Sequence, residues 1–192
     1  MKILILFINS FIFLLLMPEC NTSKNVDNSI KEIEYVSGDT LSTYQESLNK
    51  WIEMRDLNGN SYIYQSTFAS WVGFGFTTEI KVENGIVTER KYESFNYDNA
   101  DNERKVEKTW VETGDKIGSH KEGHLPLTID QLYQTCAKEY LVVDTANNTI
   151  YFETTSEGVL TTCGYYPHGC ADDCYEGIDI SGFEWIKNEE DK

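Results

Sequence analysis

The stretch that decides the fold is Ile80-Lys81-Val82-Glu83-Asn84-Gly85-Ile86-Val87. Apolar residues alternate on both sides of Asn84-Gly85, a dipeptide that favours the two-residue turn of a β-hairpin. Such a turn places Val87 opposite Val82, whereas a three-residue loop with a Gly bulge would place Ile86 there. The pattern therefore predicts two antiparallel strands and leaves two registers open.

Further strands extend from this hairpin in both directions. Upstream, Tyr62, Tyr64 and Phe68 fall on one face of a strand, as a period of two requires. Downstream, short segments rich in β-branched and aromatic residues are bounded by polar turns. The predicted strands are 61–68, 74–82, 86–95, 105–113, 149–154 and 158–163.

Two amphipathic helices accompany the strands. The first is predicted from Leu41 to Arg55 by apolar residues at three- and four-residue spacing, with Ser42 and Gln45 as a capping box. The second follows a capping box of Thr128 and Gln131, and its apolar stripe turns a cysteine toward the core. That stripe is Ile129, Leu132, Tyr133, Cys136, Ala137, Tyr140 and Leu141.

The order helix, four strands, helix, two strands (α-β-β-β-β-α-β-β) is typical of an α+β fold. We expect a curved antiparallel sheet of about six strands with two helices packed on one face. All of these elements lie within residues 39–187, which we predict to form one domain. About 150 residues are enough for such a domain to form its own hydrophobic core. A polar tether, residues 20–38, precedes the domain, and an acidic tail, residues 188–192, follows it.

Residues 1–19 have the character of an export signal. A basic start at Lys2 is followed by an apolar run from Ile3 to Met17. This run is shorter than the ~20 residues that a membrane-spanning helix needs, so we expect a cleaved or anchoring leader.

Cys20 closes the leader and is followed by a polar stretch. This arrangement resembles a bacterial lipoprotein signal, which implies a lipid on Cys20 and a membrane-anchored protein that faces the periplasm or the cell surface. Met17, Pro18 and Glu19 differ from the small residues that usually precede such a cysteine. A secreted protein is therefore the alternative.

The chain has five cysteines, and assigning Cys20 to a lipid leaves an even set that suits two disulfides in an oxidising compartment. Three pairings are open. We favour a small loop closed by the last two cysteines and a bridge from helix to strand by the first two. The alternative is a zinc site that includes His168, although its spacing is not the usual C-x-x-C. The four remaining cysteines are Cys136, Cys163, Cys170 and Cys174.

The net charge of the chain is −16. Lys2 and Glu19 cancel within the leader, so this charge belongs to the remainder of the chain. Such an acidic surface repels phosphates, and we exclude nucleic-acid binding. Cations or basic protein surfaces are the partners that this charge favours.

A group of carboxylates follows and overlaps the last cysteine pair. We predict no cofactor, and calcium bound in this loop is the alternative because oxygen ligands suit that ion. The loop lacks the acidic spacing and central Gly of an EF-hand, and Asp is also common in turns for its backbone hydrogen bonds. The candidate ligands are Asp172, Asp173, Glu176 and Asp179.

His120, Glu122 and His124 form a second polar cluster. Zinc-protease motifs place Glu directly beside a histidine on a helix, whereas Gly123 and Pro126 predict a loop here. A histidine-loop metallohydrolase is kept as an alternative. Exposed or loop-anchoring histidines are the interpretation that we favour.

The aromatic residues between Tyr62 and Phe76 are mostly explained by core packing. Trp71 is the one that we expect to be exposed, because it lies at a strand boundary. Together with His120 and His124 it gives a candidate binding surface for a protein or glycan partner.

Signals for catalysis are missing from the sequence. There is no Gly-x-Ser-x-Gly elbow, and no pair of acids stands out as a glycosidase acid and base. We therefore predict that the protein is not an enzyme.

Several segments of the domain resemble uncharacterised bacterial cell-envelope lipoproteins. The resemblance spans about residues 41–185, and it implies envelope placement and a shared fold without naming an activity. We expect a membrane-tethered, disulfide-stapled domain that acts as a binding or assembly module. The segments that carry the resemblance are 61–64, 70–75, 110–112, 127–133, 164–167 and 170–174.

Overall fold

The computed structural model describes residues 39–98 and 103–187. The export signal, Cys20, the tether and the acidic tail lie outside the described residues. Neither described helix combines the length and the apolar character needed to cross a membrane. The elements are α1 (Asp39–Leu57), β1 (Tyr62–Ala69), β2 (Phe74–Glu83), β3 (Ile86–Tyr97), β4 (Arg104–Thr113), a 3-10 turn (Gly114–Lys116), α2 (Ile129–Thr135), a π-helical turn (Cys136–Tyr140), β5 (Asn148–Thr154), β6 (Leu160–Pro167), β7 (Glu176–Asp179) and β8 (Gly182–Trp185).

The α+β class and the predicted order of elements are confirmed. The strands divide into two antiparallel sheets, one in the order β4-β3-β2-β1-β8 and one in the order β5-β6-β7. β7 and β8 were not predicted from the sequence. Each is only four residues long, which is too short to show an alternating pattern.

The Asn84-Gly85 hairpin has the two-residue turn. Val82 pairs with Val87, and Asn84 and Gly85 have φ values of 52° and 77°. The Gly85 N–H donates to the Asn60 carbonyl at 2.8 Å. This bond joins the turn to the connection that leaves α1.

The two helix starts differ in how well they were predicted. α1 begins at Asp39, so Ser42 lies inside the helix and the predicted capping position is wrong. At α2 the capping box is confirmed: the Gln131 N–H donates to Thr128 Oγ1 at 3.2 Å, and the Thr128 N–H donates to Gln131 Oε1 at 2.8 Å. Thr128 is therefore the N-cap.

One hydrophobic core joins both helices to both sheets. Trp51 of α1 stacks on Trp185 with ring centroids 5.5 Å apart and meets Tyr62 edge-on at 5.3 Å. The buried Tyr62 hydroxyl accepts the Ile129 N–H at 2.9 Å, and the Tyr133 hydroxyl donates to a backbone carbonyl at 2.7 Å. Tyr62 and Tyr133 fit this core because their hydroxyls find partners inside it, whereas the buried Trp51 Nε1 has no hydrogen-bond partner among the described residues.

Two disulfides form, and they are the two pairings favoured from the sequence. Cys136 and Cys163 are fully buried, with Cα atoms 5.8 Å apart, and tie the π-helical turn to β6. Cys170 and Cys174, with Cα atoms 6.2 Å apart, close the exposed loop before β7. The described structure gives the zinc alternative no support, because its three cysteines are bonded in disulfides and His168 bonds to Thr149.

The two disulfides should differ in their contribution to stability. The sequence separations are 27 and 4 residues, and loop-closure entropy predicts contributions of about 3.5 and about 2 kcal/mol. We expect a Cys136→Ala/Cys163→Ala variant to lose more free energy of unfolding in urea than a Cys170→Ala/Cys174→Ala variant. A larger loss from the exposed pair would contradict this order.

Candidate functional site

A buried ion pair holds the polar cluster around the histidines. Arg90 of β3 and Glu112 of β4 lie directly opposite each other, and each side chain is only 1% exposed. Arg90 Nη1 donates to Glu112 Oε2 at 3.2 Å. Two buried charges need further hydrogen bonds, since desolvation otherwise outweighs their attraction.

Arg90 obtains those bonds from residues 118–125, which we call the His loop. Its guanidinium donates to the backbone carbonyls of His120 at 3.2 Å, Glu122 at 2.6 Å and His124 at 2.9 Å. Three carbonyls of one loop thus converge on one side chain. The planar guanidinium, with five donors, suits this task.

Glu112 holds the same loop by accepting hydrogen bonds from backbone N–H groups of the loop. Its carboxylate accepts the Gly118 and His120 N–H groups, both at 2.6 Å, the Ser119 hydroxyl at 3.0 Å and His120 Nδ1 at 2.9 Å. Burial opposes ionisation, but these bonds and Arg90 outweigh it and lower the pKa of Glu112 to about 2. An ionised carboxylate can only accept, so His120 carries a proton on Nδ1.

The His120 ring is also fixed by stacking. Trp110 lies between Tyr92, at 4.9 Å between ring centroids, and His120, at 4.3 Å, with nearly parallel planes. The Arg90 guanidinium carbon lies 4.8 Å from the Trp110 ring. His120 remains 40% exposed, so it is held in place and yet reaches solvent.

His124 turns in another direction. Its ring packs against Phe76 at 5.4 Å, and its N–H donates to Thr78 Oγ1 at 3.0 Å. His124 Nε2 is buried without a hydrogen-bond partner among the described residues. Burial lowers the pKa of His124, which favours a neutral ring at neutral pH.

The predicted metal ligands do not gather in the described part of the chain. Glu122 pairs with Lys108 at 2.6 Å, away from the partners of the two histidines. Asp173 accepts the Ser70 hydroxyl at 3.1 Å, and Glu176 and Asp179 stand three residues apart on β7. Across residues 39–98 and 103–187, no three His, Cys, Asp or Glu side chains are placed to share a metal. These contacts give the calcium and metallohydrolase alternatives no support.

Trp71 is exposed, as predicted, on the turn between β1 and β2. Trp71 and Val72 are 77% and 54% exposed. The Gly73 N–H donates to the Ser70 carbonyl at 3.0 Å, and the Gly73 carbonyl accepts a β3 N–H at 2.7 Å. With the bond from Ser70 to Asp173, these contacts fix a convex tip that we call the Trp71 tip, residues 70–74.

A row of aromatic rings connects the Trp71 tip with the His loop. Phe74, 48% exposed, contacts Phe68 at 6.0 Å, and successive rings are 4.3–5.7 Å apart as far as His120. Of the three residues predicted as a binding surface, His120 ends this aromatic strip, His124 contacts it through Phe76, and Trp71 lies on the tip at the other end. The members of the strip are Phe74, Phe68, Phe76, Tyr92, Trp110 and His120.

Sequence reasoning missed the ion pair that orders this site. Arg90 and Glu112 are 22 residues apart, and isolated charges on alternating strands are typical of solvent-facing positions. The one available signal was register, since a correct β3-β4 pairing places the two residues opposite each other.

Comparisons with known proteins give no relative of this chain. No protein-family model matches it, and neither a curated protein nor a solved structure does. Function is therefore inferred from the residues just described.

Replacing Glu112 should destabilise the domain by an amount that depends on pH. We expect Glu112→Gln to cost about 3–5 kcal/mol at pH 7, because it leaves the buried Arg90 charge uncompensated. The pKa of Glu112 lies below the ordinary 4.5 of a glutamate carboxyl. Its contribution to the free energy of unfolding is therefore complete above pH 4.5 and is lost as the pH falls toward 2. The difference between wild type and variant in urea unfolding should shrink over that interval.

The matched control for this prediction is Glu122→Gln. Glu122 belongs to the same loop, but its pair with Lys108 is half exposed and screened by solvent, so its replacement should cost much less stability than that of Glu112. Equal losses in the two variants, or a Glu112→Gln loss that does not change between pH 4.5 and 2, would contradict the assigned role of Glu112.

Proposed function

We propose that this chain is a membrane-tethered, disulfide-stapled envelope domain that acts as a binding or assembly module. The leader that ends at Cys20 and the resemblance to bacterial envelope lipoproteins support the tether. The two disulfides support an oxidising compartment outside the cytoplasm. The net charge of −16 argues against nucleic acid as the partner.

The observation that carries a binding function is the exposure of Trp71 on a fixed tip. A tryptophan that is 77% exposed contributes little to the stability of the fold. The tip that carries it is fixed by hydrogen bonds to β3 and to Asp173. Tryptophans in such positions often provide the largest single contribution to a protein interface. Because the tip is already ordered, binding through it would cost little conformational entropy.

The partner that fits this surface is a protein with an apolar pocket and a basic rim. Trp71 and Val72 lie on a turn and form a protruding apolar surface, which suits a pocket in a partner. A sugar ring would instead need a flat surface on which to stack. Exposed carboxylates of Asp172 and Asp173 lie in the loop that Ser70 contacts. These negative charges favour a basic rim and would speed association at low ionic strength.

Trp71→Ala should abolish most of the binding while leaving the fold intact. A photo-crosslinker beside Trp71 would capture the partner in the envelope, and titration of the purified partner would then measure Kd. We expect a loss of about 2 kcal/mol or more, roughly 30-fold in Kd, and a stability change within about 0.5 kcal/mol.

Ile86→Ala is the matched control, since Ile86 is 67% exposed at the start of β3, next to the turn at the other end of β2 and roughly 30 Å away. It should bind as wild type does, and binding should weaken at high salt. If Ile86→Ala weakened binding as much as Trp71→Ala, or if only glycans were captured, the proposed surface or partner class would be wrong.

The tether is tested separately through Cys20. In a bacterial host we expect the wild-type chain in the membrane fraction, with an intact mass that starts at Cys20, carries acyl chains and lacks four hydrogens because of two disulfides. Cys20→Ser should release the domain into the soluble fraction. Unmodified wild-type protein that starts elsewhere and is secreted would contradict the tether.

A further inference from the structure

A loop beside the Trp71 tip is closed by the Cys170–Cys174 disulfide, and we call residues 170–174 the disulfide loop. All of its residues are exposed except Cys174, which is half-buried. The other disulfide, Cys136–Cys163, is fully buried. Thiol–disulfide exchange requires a thiolate to reach a sulfur atom, so access governs its rate. A reductant in solution therefore reaches the disulfide loop first.

One side chain of the disulfide loop holds the Trp71 tip. Asp173 Oδ2 accepts the Ser70 hydroxyl at 3.1 Å. Ser70 is buried, and its backbone closes the tip: its N–H donates to the Phe74 carbonyl at 2.8 Å, and its carbonyl accepts the Gly73 N–H at 3.0 Å. The bond from Asp173 thus reaches the residue on which the turn of the tip depends.

The backbone of Asp173 is held in an unusual conformation. Its φ is 41°, in the left-handed region that residues other than glycine seldom adopt. Such a conformation persists where the surrounding structure holds it. Asp173 directly precedes Cys174, inside the ring that the disulfide closes. Opening the disulfide would free Asp173 to leave this conformation and would withdraw its carboxylate from Ser70.

The chain after the disulfide loop is held without the help of the sulfurs. The Tyr175 hydroxyl donates to the Ile178 carbonyl at 2.8 Å. The Tyr175 ring lies against Gly164 and Gly177 so closely that a methyl group on either glycine would come within 2.7 Å of it. β7 should therefore stay in place when the disulfide opens, and the change should be confined to the disulfide loop and the tip.

The same loop carries charges of the proposed interface. Asp172 and Asp173 are exposed and supply the negative charge that favours a basic rim on the partner. The disulfide therefore fixes both the Trp71 tip and the carboxylates beside it. An interface held in its bound arrangement loses less entropy on binding, so the closed loop is the form that should bind more tightly.

We propose that Cys170–Cys174 is a reversible redox site that a protein dithiol reduces, and that its oxidation state sets the affinity of the Trp71 tip for its partner. A thiolate of the reductant attacks one sulfur, and the second thiolate of the reductant resolves the mixed disulfide. Two electrons pass to Cys170 and Cys174, which end as thiols with the two protons that the reductant gives up. The reductant leaves as a disulfide. The second part of this inference rests on the proposed function.

The first experiment needs no partner. The full chain is treated with dithiothreitol, free thiols are alkylated at intervals, and the labelled cysteines are identified by mass spectrometry. We expect Cys170 and Cys174 to be labelled at least about tenfold faster than Cys136 and Cys163. At the stage of selective reduction, the Gly73 amide resonance should shift in the NMR spectrum. Equal labelling rates, or an unshifted Gly73 amide, would overturn the proposal.

Variants connect the shift to the bond between the two segments. Cys170→Ser/Cys174→Ser should show the Gly73 shift of the reduced protein without any reductant. Ser70→Ala keeps both disulfides but removes the bond to Asp173, so reduction should no longer shift Gly73 appreciably. Ser181→Ala is the matched control, since its hydroxyl bonds to Gln65 and Thr67, and it should respond as wild type does. A full shift in Ser70→Ala would contradict the assigned coupling.

The second experiment measures Kd for the partner captured at Trp71. Reduction of the wild-type chain should raise Kd about tenfold, and Cys170→Ser/Cys174→Ser should have this raised Kd with or without dithiothreitol. Binding by Trp71→Ala as tight as that of wild type would overturn the proposed function. An unchanged Kd on reduction, in a protein whose Trp71→Ala variant does lose binding, would overturn the redox inference alone.

Discussion

The buried pair of Arg90 and Glu112 is the interaction on which the candidate site depends. An ion pair that is 1% exposed on both sides would be unfavourable alone, because desolvating two charges costs more than their attraction returns. Here Arg90 also bonds to three carbonyls and Glu112 to two N–H groups, a hydroxyl and a ring nitrogen. The backbone that would otherwise lie in water as an irregular loop thereby becomes a fixed part of the sheet surface.

The placement of this loop fixes the positions of two histidine rings. His120 is stacked on Trp110 and ends the aromatic strip that begins at the Trp71 tip. His124 packs on Phe76 of the same strip and also lines the cleft between the two sheets. The two disulfides act elsewhere: Cys136–Cys163 ties the π-helical turn to β6 of the second sheet, and Cys170–Cys174 closes the loop before β7.

Features encoded by local patterns were predictable from the sequence. The Asn84-Gly85 turn, the Thr128 cap, six of the eight strands and the exposure of Trp71 all depend on neighbours within a few residues. The even number of remaining cysteines indicated two disulfides, and the close spacing of Cys170 and Cys174 favoured the pairs that form. The division into two sheets, the ion pair and the cleft depend on contacts between distant segments, which no local period reveals. The histidines were correctly placed on a loop, but their separate partners could not be foreseen.

Hydrogen exchange of the Gly118 and His120 amides measures directly whether the Arg90–Glu112 pair holds the His loop. Both N–H groups donate to the buried Glu112 carboxylate, so both should be strongly protected although they belong to an exposed loop. We expect them to exchange only through openings whose free energies approach those of the neighbouring β3 and β4 amides. Exchange of these two amides at the rate of an unstructured peptide would contradict this expectation, because the loop would then not be held by the ion pair.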